Sequence, residues 1–159
     1  MPHDRLTVGL DTSCLVPLFG VWHTFHEVTL AELEDLRRRN VRFVVPVHAL
    51  LECFSVLTRL PEENRFSAPE ALRLLTENFS RGATVPSVDP EAAWACMQSL
   101  ATQGPSGGRI YDAVIAHSAY RAGATVLLTW NLKDFLAVAP PGLEIRQPGG
   151  SPAPSSPVH

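Results

Sequence analysis

The sequence predicts an α/β domain whose central sheet is mostly parallel and covered by helices on both faces. Short apolar runs rich in β-branched residues recur at 6–10, 41–45 and 124–129. Segments with helical spacing of apolar residues separate them. The chain has 159 residues, 45% hydrophobic and 18% charged, which fits one globular domain and excludes wholesale disorder. At this length roughly 70% of the unfolded surface can be buried, so a real core is available.

Leu6–Leu10 reads as a buried strand. Asp11, Thr12 and Ser13 after it are helix-capping residues. A short helix then begins near Leu15, with Pro17 in its first turn, where a missing N–H costs little. A longer helix covers Thr24–Arg39, with Val28, Leu30, Leu33 and Leu36 on its inner face, and Asn40 stops it. Val41–Val45 is the second strand. His48–Leu60 is helical through Leu51, Phe54 and Leu57. A polar loop at Pro61–Ser67 leads to a helix from Pro69 to Phe79 through Leu72, Leu74 and Leu75. Ala83–Val88 is an extended segment at a sheet edge, because Pro86 cannot donate to a ladder. Asp89-Pro90 caps and opens a helix to Thr102, and Gly104–Gly108 is a flexible loop. The helix Ile110–Ala122 stops at Gly123. Ala124–Thr129 is a buried strand, Asn131–Leu136 one helical turn and Leu143–Arg146 a last strand. The domain therefore spans 1–147, and 148–159 is a disordered Pro/Ser/Gly-rich tail.

Thirteen basic against sixteen acidic residues give a net charge of −3. That excludes a protein that coats nucleic acid with a basic face, so any such contact must come from a local patch or a bound metal. Cys14, Cys53 and Cys96 form neither a pair framework nor a zinc spacing, which fits a reducing, cytoplasmic setting. No apolar run approaches the ~18 residues of a membrane span. Leu6–Leu10 is too short for a signal-peptide core.

Four acids stand apart by their surroundings. Asp11 follows a buried strand, at the end where α/β sheets bind ligands; it is equally placed to cap a helix. Glu52 lies inside the apolar run 50–54, where the plainer role is an exposed position on an amphipathic helix. Asp112 opens the most apolar helix, where an acid also favours the helix dipole. Asp134 follows the strand 124–129, and it or Asn131 would suit a turn there. A parallel sheet brings all four toward one edge. Converging carboxylates raise one another's pKa, and a hard divalent cation relieves that repulsion. His23 and His26 are i, i+3 but have no second pair, so they read as surface or capping residues.

These residues carry a resemblance. Leu10-Asp-Thr-Ser-Cys-Leu15, Glu52, Gly108-Arg-Ile-Tyr-Asp-Ala-Val-Ile-Ala116 and Thr125-Val-Leu-Leu-Thr-Trp-Asn-Leu-Lys-Asp-Phe135 resemble, in order, the motifs of PIN domains. The resemblance spans about Leu6–Ile145. It implies a three-layer α/β/α nuclease domain that cuts RNA with Mg²⁺ or Mn²⁺. Small stand-alone members are VapC-type toxins held by a VapB-type antitoxin. Carried over, Asp11 and Asp112 are the principal metal ligands. Glu52 supports the metal or the attacking water, and Asp134 binds the metal directly or through water. Thr12 and Ser13 orient a ligand or phosphate, Thr129 lies at the strand end, and Asn131 holds the Asp134 loop. Arg109 is a phosphate contact; the cluster Arg37, Arg38, Arg39 and Arg42 reads as a solvated helix end. Val21, Trp22 and Phe25 suit a homodimer, the antitoxin or the core.

Three other readings compete. A haloacid-dehalogenase-type phosphatase also opens with strand-then-aspartate, but wants an acid where Ser13 stands and a motif lysine, and Lys133 is the only lysine. A receiver-like domain wants paired acids near Asp11. A PIN-like binding module without activity would retain the same residues.

Overall fold

The computed structural model describes residues 5–104 and 107–150. In chain order the elements are β1 (Thr7–Leu10), α1 (Thr12–Phe19), α2 (His26–Arg38), β2 (Arg42–Val44), α3 (Val47–Arg59), α4 (Ala68–Phe79), β3 (Ala83–Thr84), α5 (Pro90–Gln103), α6 (Arg109–Arg121), β4 (Val126–Leu128), α7 (Leu132–Leu136) and β5 (Glu144–Arg146). A 3₁₀ turn at Glu62–Asn64 sits in the expected polar loop.

The five strands run in the order β3-β2-β1-β4-β5, and every neighbouring pair is parallel. Every residue of β1 and β4 is buried, as strands covered on both faces require. The edge strand β3 covers only Ala83–Thr84 of the expected extended segment, and Pro86, which has no N–H to donate, lies beyond its end. The chain leaves β1 toward β2 on one side, while β4 lies on the other. The carboxyl ends of β1 and β4 therefore bound the crevice where such sheets hold ligands.

Several local expectations change. Helix α1 begins at Thr12 with Asp11 as its cap, so Pro17 lies in the second turn rather than the first. On α2 the inner face is His26, Thr29, Leu33 and Leu36, and Val28 is exposed. Thr29 is buried there because its Oγ1 accepts a bond from Trp130 Nε1 at 3.0 Å. His26 is a core residue rather than a surface one: its Nδ1–H donates to Pro17 O at 2.8 Å, which ties α2 to α1. Leu51 and Leu72 face outward, because Ala49, Cys53 and Leu57 fill the inner stripe of α3 and Ala71, Leu75 and Phe79 that of α4. Ser67 and Glu70 form a capping box that starts α4 one residue early. The ordered chain continues past 147: Pro148 is buried, and Gly149 N–H donates to Glu32 Oε2 at 3.1 Å. The remainder of the expected tail, 151–159, lies outside the described residues, as do 105 and 106 of the expected flexible loop. All three cysteines are free and buried.

Gly9 sets how closely α6 approaches the sheet. A Cβ there would stand 2.9 Å from Leu127 Cδ1 and 3.0 Å from Ala119 Cβ. Such overpacking costs about 1–3 kcal/mol. Gly9→Ala is therefore expected to lower unfolding free energy by about that amount in urea titrations, and an unchanged midpoint would contradict the close approach.

Candidate metal centre

Asp11 closes β1, and its N–H donates to Leu128 O at 3.1 Å, extending the β1–β4 pairing by one residue. Its carboxylate is buried. Oδ2 accepts from Ser13 Oγ at 2.7 Å, from Thr129 Oγ1 at 2.9 Å and from Ser13 N at 3.3 Å. None of these bonds falls on Oδ1. The two hydroxyls are in turn acceptors: Trp130 N–H donates to Ser13 Oγ at 2.8 Å and Asn131 N–H to Thr129 Oγ1 at 3.0 Å. Each hydroxyl thus uses its one hydrogen on Asp11 and receives a backbone N–H from the turn after β4. Burial raises the Asp11 pKa, and the bonds from Ser13 and Thr129 oppose that rise. Asp11 is both helix cap and site residue.

Glu52 comes from α3, the helix after β2. Its Oε2 accepts from Thr12 Oγ1 at 3.2 Å, a hydroxyl that also donates to Ala49 O at 3.4 Å. Its Oε1 stands 2.5 Å from His48 Nε2, one helical turn earlier. Asp112 lies in the first turn of α6 and is half-buried. Its pKa is pushed up to about 6, first by burial and then by the negative charges of Asp11, Asp134 and Glu52, with Arg109 opposing. The four acids therefore act on one another through space. Asp134, in the first turn of α7, pairs with Arg109 across 3.5 Å from Oδ1 to Nη2. This places Arg109 at the cluster. Arg38 and Arg39 instead pair with Asp35, and Arg37 donates to Asn78.

Asn131 serves through its backbone: besides the N–H bond to Thr129, its carbonyl accepts from Phe135 N at 3.2 Å. Its side chain caps nothing on α7. Two residues at the site escaped the sequence analysis. His48 touches Glu52, and its ring stacks on Tyr111, with centroids 4.8 Å apart and planes 7° apart. The i, i+4 spacing from His48 to Glu52 was visible in the sequence; the stack with Tyr111, which joins α3 to α6, was not.

The profile of the PIN domain family matches residues 8–139. The chain belongs to the PIN domain family. Among curated relatives, Ribonuclease VapC40 of Mycobacterium tuberculosis is 34% identical over 120 residues, covering 76% of this chain and 84% of that protein. Ribonuclease VapC27 of Mycobacterium tuberculosis is 35% identical over 112 residues, covering 70% and 76%. The solved structure of VapBC-1 from nontypeable Haemophilus influenzae superposes with a TM-score of 0.62 at 22% identity, over 91% of this chain and all of that one. The PIN domain architecture accounts for the three-layer arrangement with its parallel sheet.

The groups that converge on this PIN domain site are carboxylates and hydroxyls, the hard oxygen donors that suit Mg²⁺ or Mn²⁺. Among the described residues no trio of His, Cys, Asp or Glu encloses an ion by itself. Mg²⁺ does not require such a cage, since it keeps several waters and uses one or two carboxylates. The crowding that raises Asp112 is what a cation would relieve, so the residues fit a hard divalent ion.

The pH dependence follows from Asp112. Below its ordinary value of 3.8 the carboxyl is protonated whether the chain is folded or not, and it costs nothing. Above about 6 the folded protein must hold a charge that burial and its neighbours disfavour, so stability falls between these values. Without divalent ions, Asp112→Asn is expected to raise Tm at pH 8, with the gain vanishing near pH 4. Adding Mn²⁺ is expected to raise Tm more in wild type than in the variant. A lower Tm for Asp112→Asn at pH 8 would refute the crowding.

Thr129→Val keeps shape but leaves Asp11 one donor short and the Asn131 N–H without its acceptor. Each such loss costs about 1–3 kcal/mol when buried. Calorimetric unfolding is expected to show a clear loss of stability, and Thr129→Ser is expected to recover much of it.

Proposed function

We propose that this PIN domain is a divalent-metal-dependent endoribonuclease of the VapC kind, hydrolysing RNA phosphodiester bonds and held in check by a VapB-type antitoxin. The observation that carries it is the set of carboxylates at the carboxyl ends of β1 and β4: Asp11 buried after β1 and bonded to Thr129, Glu52 bonded to Thr12, and Asp134 paired with Arg109 on the helix that bears Asp112. Support comes from relatives named ribonucleases at 34% and 35% identity.

When bound, Mg²⁺ or Mn²⁺ neutralises charge on the phosphodiester and makes water a stronger nucleophile. Asp11 and Asp112 hold the ion. Asp11 offers Oδ1, because its Oδ2 is occupied by Ser13 and Thr129. Glu52, steadied by Thr12, accepts a hydrogen bond from the attacking water. Asp134 would help hold the ion. Arg109 exchanges its contact with Asp134 for a phosphate oxygen, placing a fixed positive charge where negative charge develops. The water oxygen bonds to phosphorus, one P–O bond to the ribose breaks, and the leaving oxygen takes up a proton.

The protein is expected to work in the cytoplasm. Among the described residues no helix is long and apolar enough to cross a membrane. Val21, Trp22 and Phe25 are exposed, and Phe25 stacks on Trp130, the residue after Thr129, with centroids 4.0 Å apart. This face suits the antitoxin or a second copy in a homodimer.

Incubating purified protein with a mixed RNA pool tests the proposal. Cutting is expected with Mg²⁺ or Mn²⁺, none with EDTA, and a loss of at least about 100-fold in Asp11→Asn and in Asp112→Asn, about 3 kcal/mol of transition-state stabilisation each. Cutting that persists in EDTA or in both variants would refute it.

A further inference from the structure

Tyr111 stands one residue before Asp112 in the first turn of α6, and 52% of it is exposed. An exposed tyrosine ordinarily samples several rotamers. This ring instead lies flat against the imidazole of His48. Nε2 of His48 lies 2.5 Å from Oε1 of Glu52, one helical turn away. The other oxygen of Glu52 accepts from Thr12, the residue after Asp11. A continuous set of contacts thus runs from the buried carboxylate to an aromatic ring at the surface. Core packing does not require it, since Tyr111 lies outside the hydrophobic cluster. Tyr111 and Asp112 are neighbours in the first turn of α6. Arg109, two residues before Tyr111, pairs with Asp134.

We propose that Tyr111, backed by His48, is the stacking platform for one unpaired base of the RNA, beside the phosphate held at the carboxylates. This rests on the ribonuclease proposal above. A base inside a duplex has both faces covered by its neighbours, whereas an unpaired base offers a free face to an aromatic side chain. Stacking of this kind tolerates any base, so the platform selects for strandedness more than for sequence. His48 fixes the ring in advance, which reduces the rotamer freedom that binding would otherwise remove. Stacked flat on Tyr111, His48 is a positioning residue.

The test is fluorescence anisotropy with a fluorescein-labelled, unstructured twelve-nucleotide RNA in Ca²⁺, together with derivatives carrying one abasic nucleotide at successive positions. Tyr111→Leu is expected to weaken binding about 5- to 100-fold, the effect of one lost stack, with Tm and Mn²⁺ affinity unchanged. Tyr111→Phe, which keeps the ring, is expected to restore most of it. One abasic position is expected to weaken wild-type binding by a similar factor and to cost Tyr111→Leu nothing more. Pairing the RNA with its complement is expected to erase the difference between the two proteins. Equal binding by Tyr111→Leu and wild type, or abasic and Tyr111→Leu losses that simply multiply at every position, would overturn the platform. RNA binding that depends on Tyr111, in a protein that never cuts with Mg²⁺ or Mn²⁺, would support the platform and overturn the ribonuclease proposal. Wild type that binds no RNA would overturn both.

Discussion

The bond between the buried Asp11 carboxylate and the hydroxyls of Ser13 and Thr129 is the interaction on which the site depends. Burying a carboxylate is unfavourable unless its oxygens are well satisfied. Here the two hydroxyls reach it from different ends of the crevice, one from α1 and one from the end of β4. Each also receives a backbone N–H from Trp130 or Asn131. The bonds that keep Asp11 in place therefore also shape the turn that launches α7, and with it Asp134. Moving one acid would move the other.

The remaining acids are gathered at a cost. Asp112 sits where burial and three like charges disfavour its ionised form. Stability could be gained by removing that charge, which is the usual sign of a position kept for function. The close approach of α6 to β1, permitted by Gly9, brings Asp112 to the crevice. Arg109 offsets part of the crowding from the same helix turn, at a spacing loose enough to release. Arg109 is the basic side chain paired within this acidic group.

Helix α3 contributes on two sides of the site. Its inner stripe, Ala49, Cys53 and Leu57, is plain core. Its rim carries His48 and Glu52 one turn apart, and the pair links the carboxylates to the Tyr111 ring on α6. The stacked rings of His48 and Tyr111 stand beside Glu52 and Asp112 on their respective helices. Such rings suit unpaired bases better than a smooth basic face would.

The sequence by itself determined the element order and the parallel sheet with an edge segment at 83–88, and it singled out the four acids. Those follow from local physics: β-branched runs, caps and proline act on their own neighbours. It misjudged faces where a helix meets several partners. Val28, Leu51 and Leu72 fit an apolar period, yet Thr29, Cys53 and Ala71 occupy the interior, because the choice depends on which neighbour each helix meets. The burial of His26 under a bond to Pro17 and the passage of Pro148 into the fold were hidden for the same reason. The pairing of Asp11 with Thr129 spans 118 positions, and the stack of His48 on Tyr111 joins two helices far apart in the chain. Only the tertiary structure could decide these contacts, since they exist through the order in which strands and helices assemble and not through any local spacing.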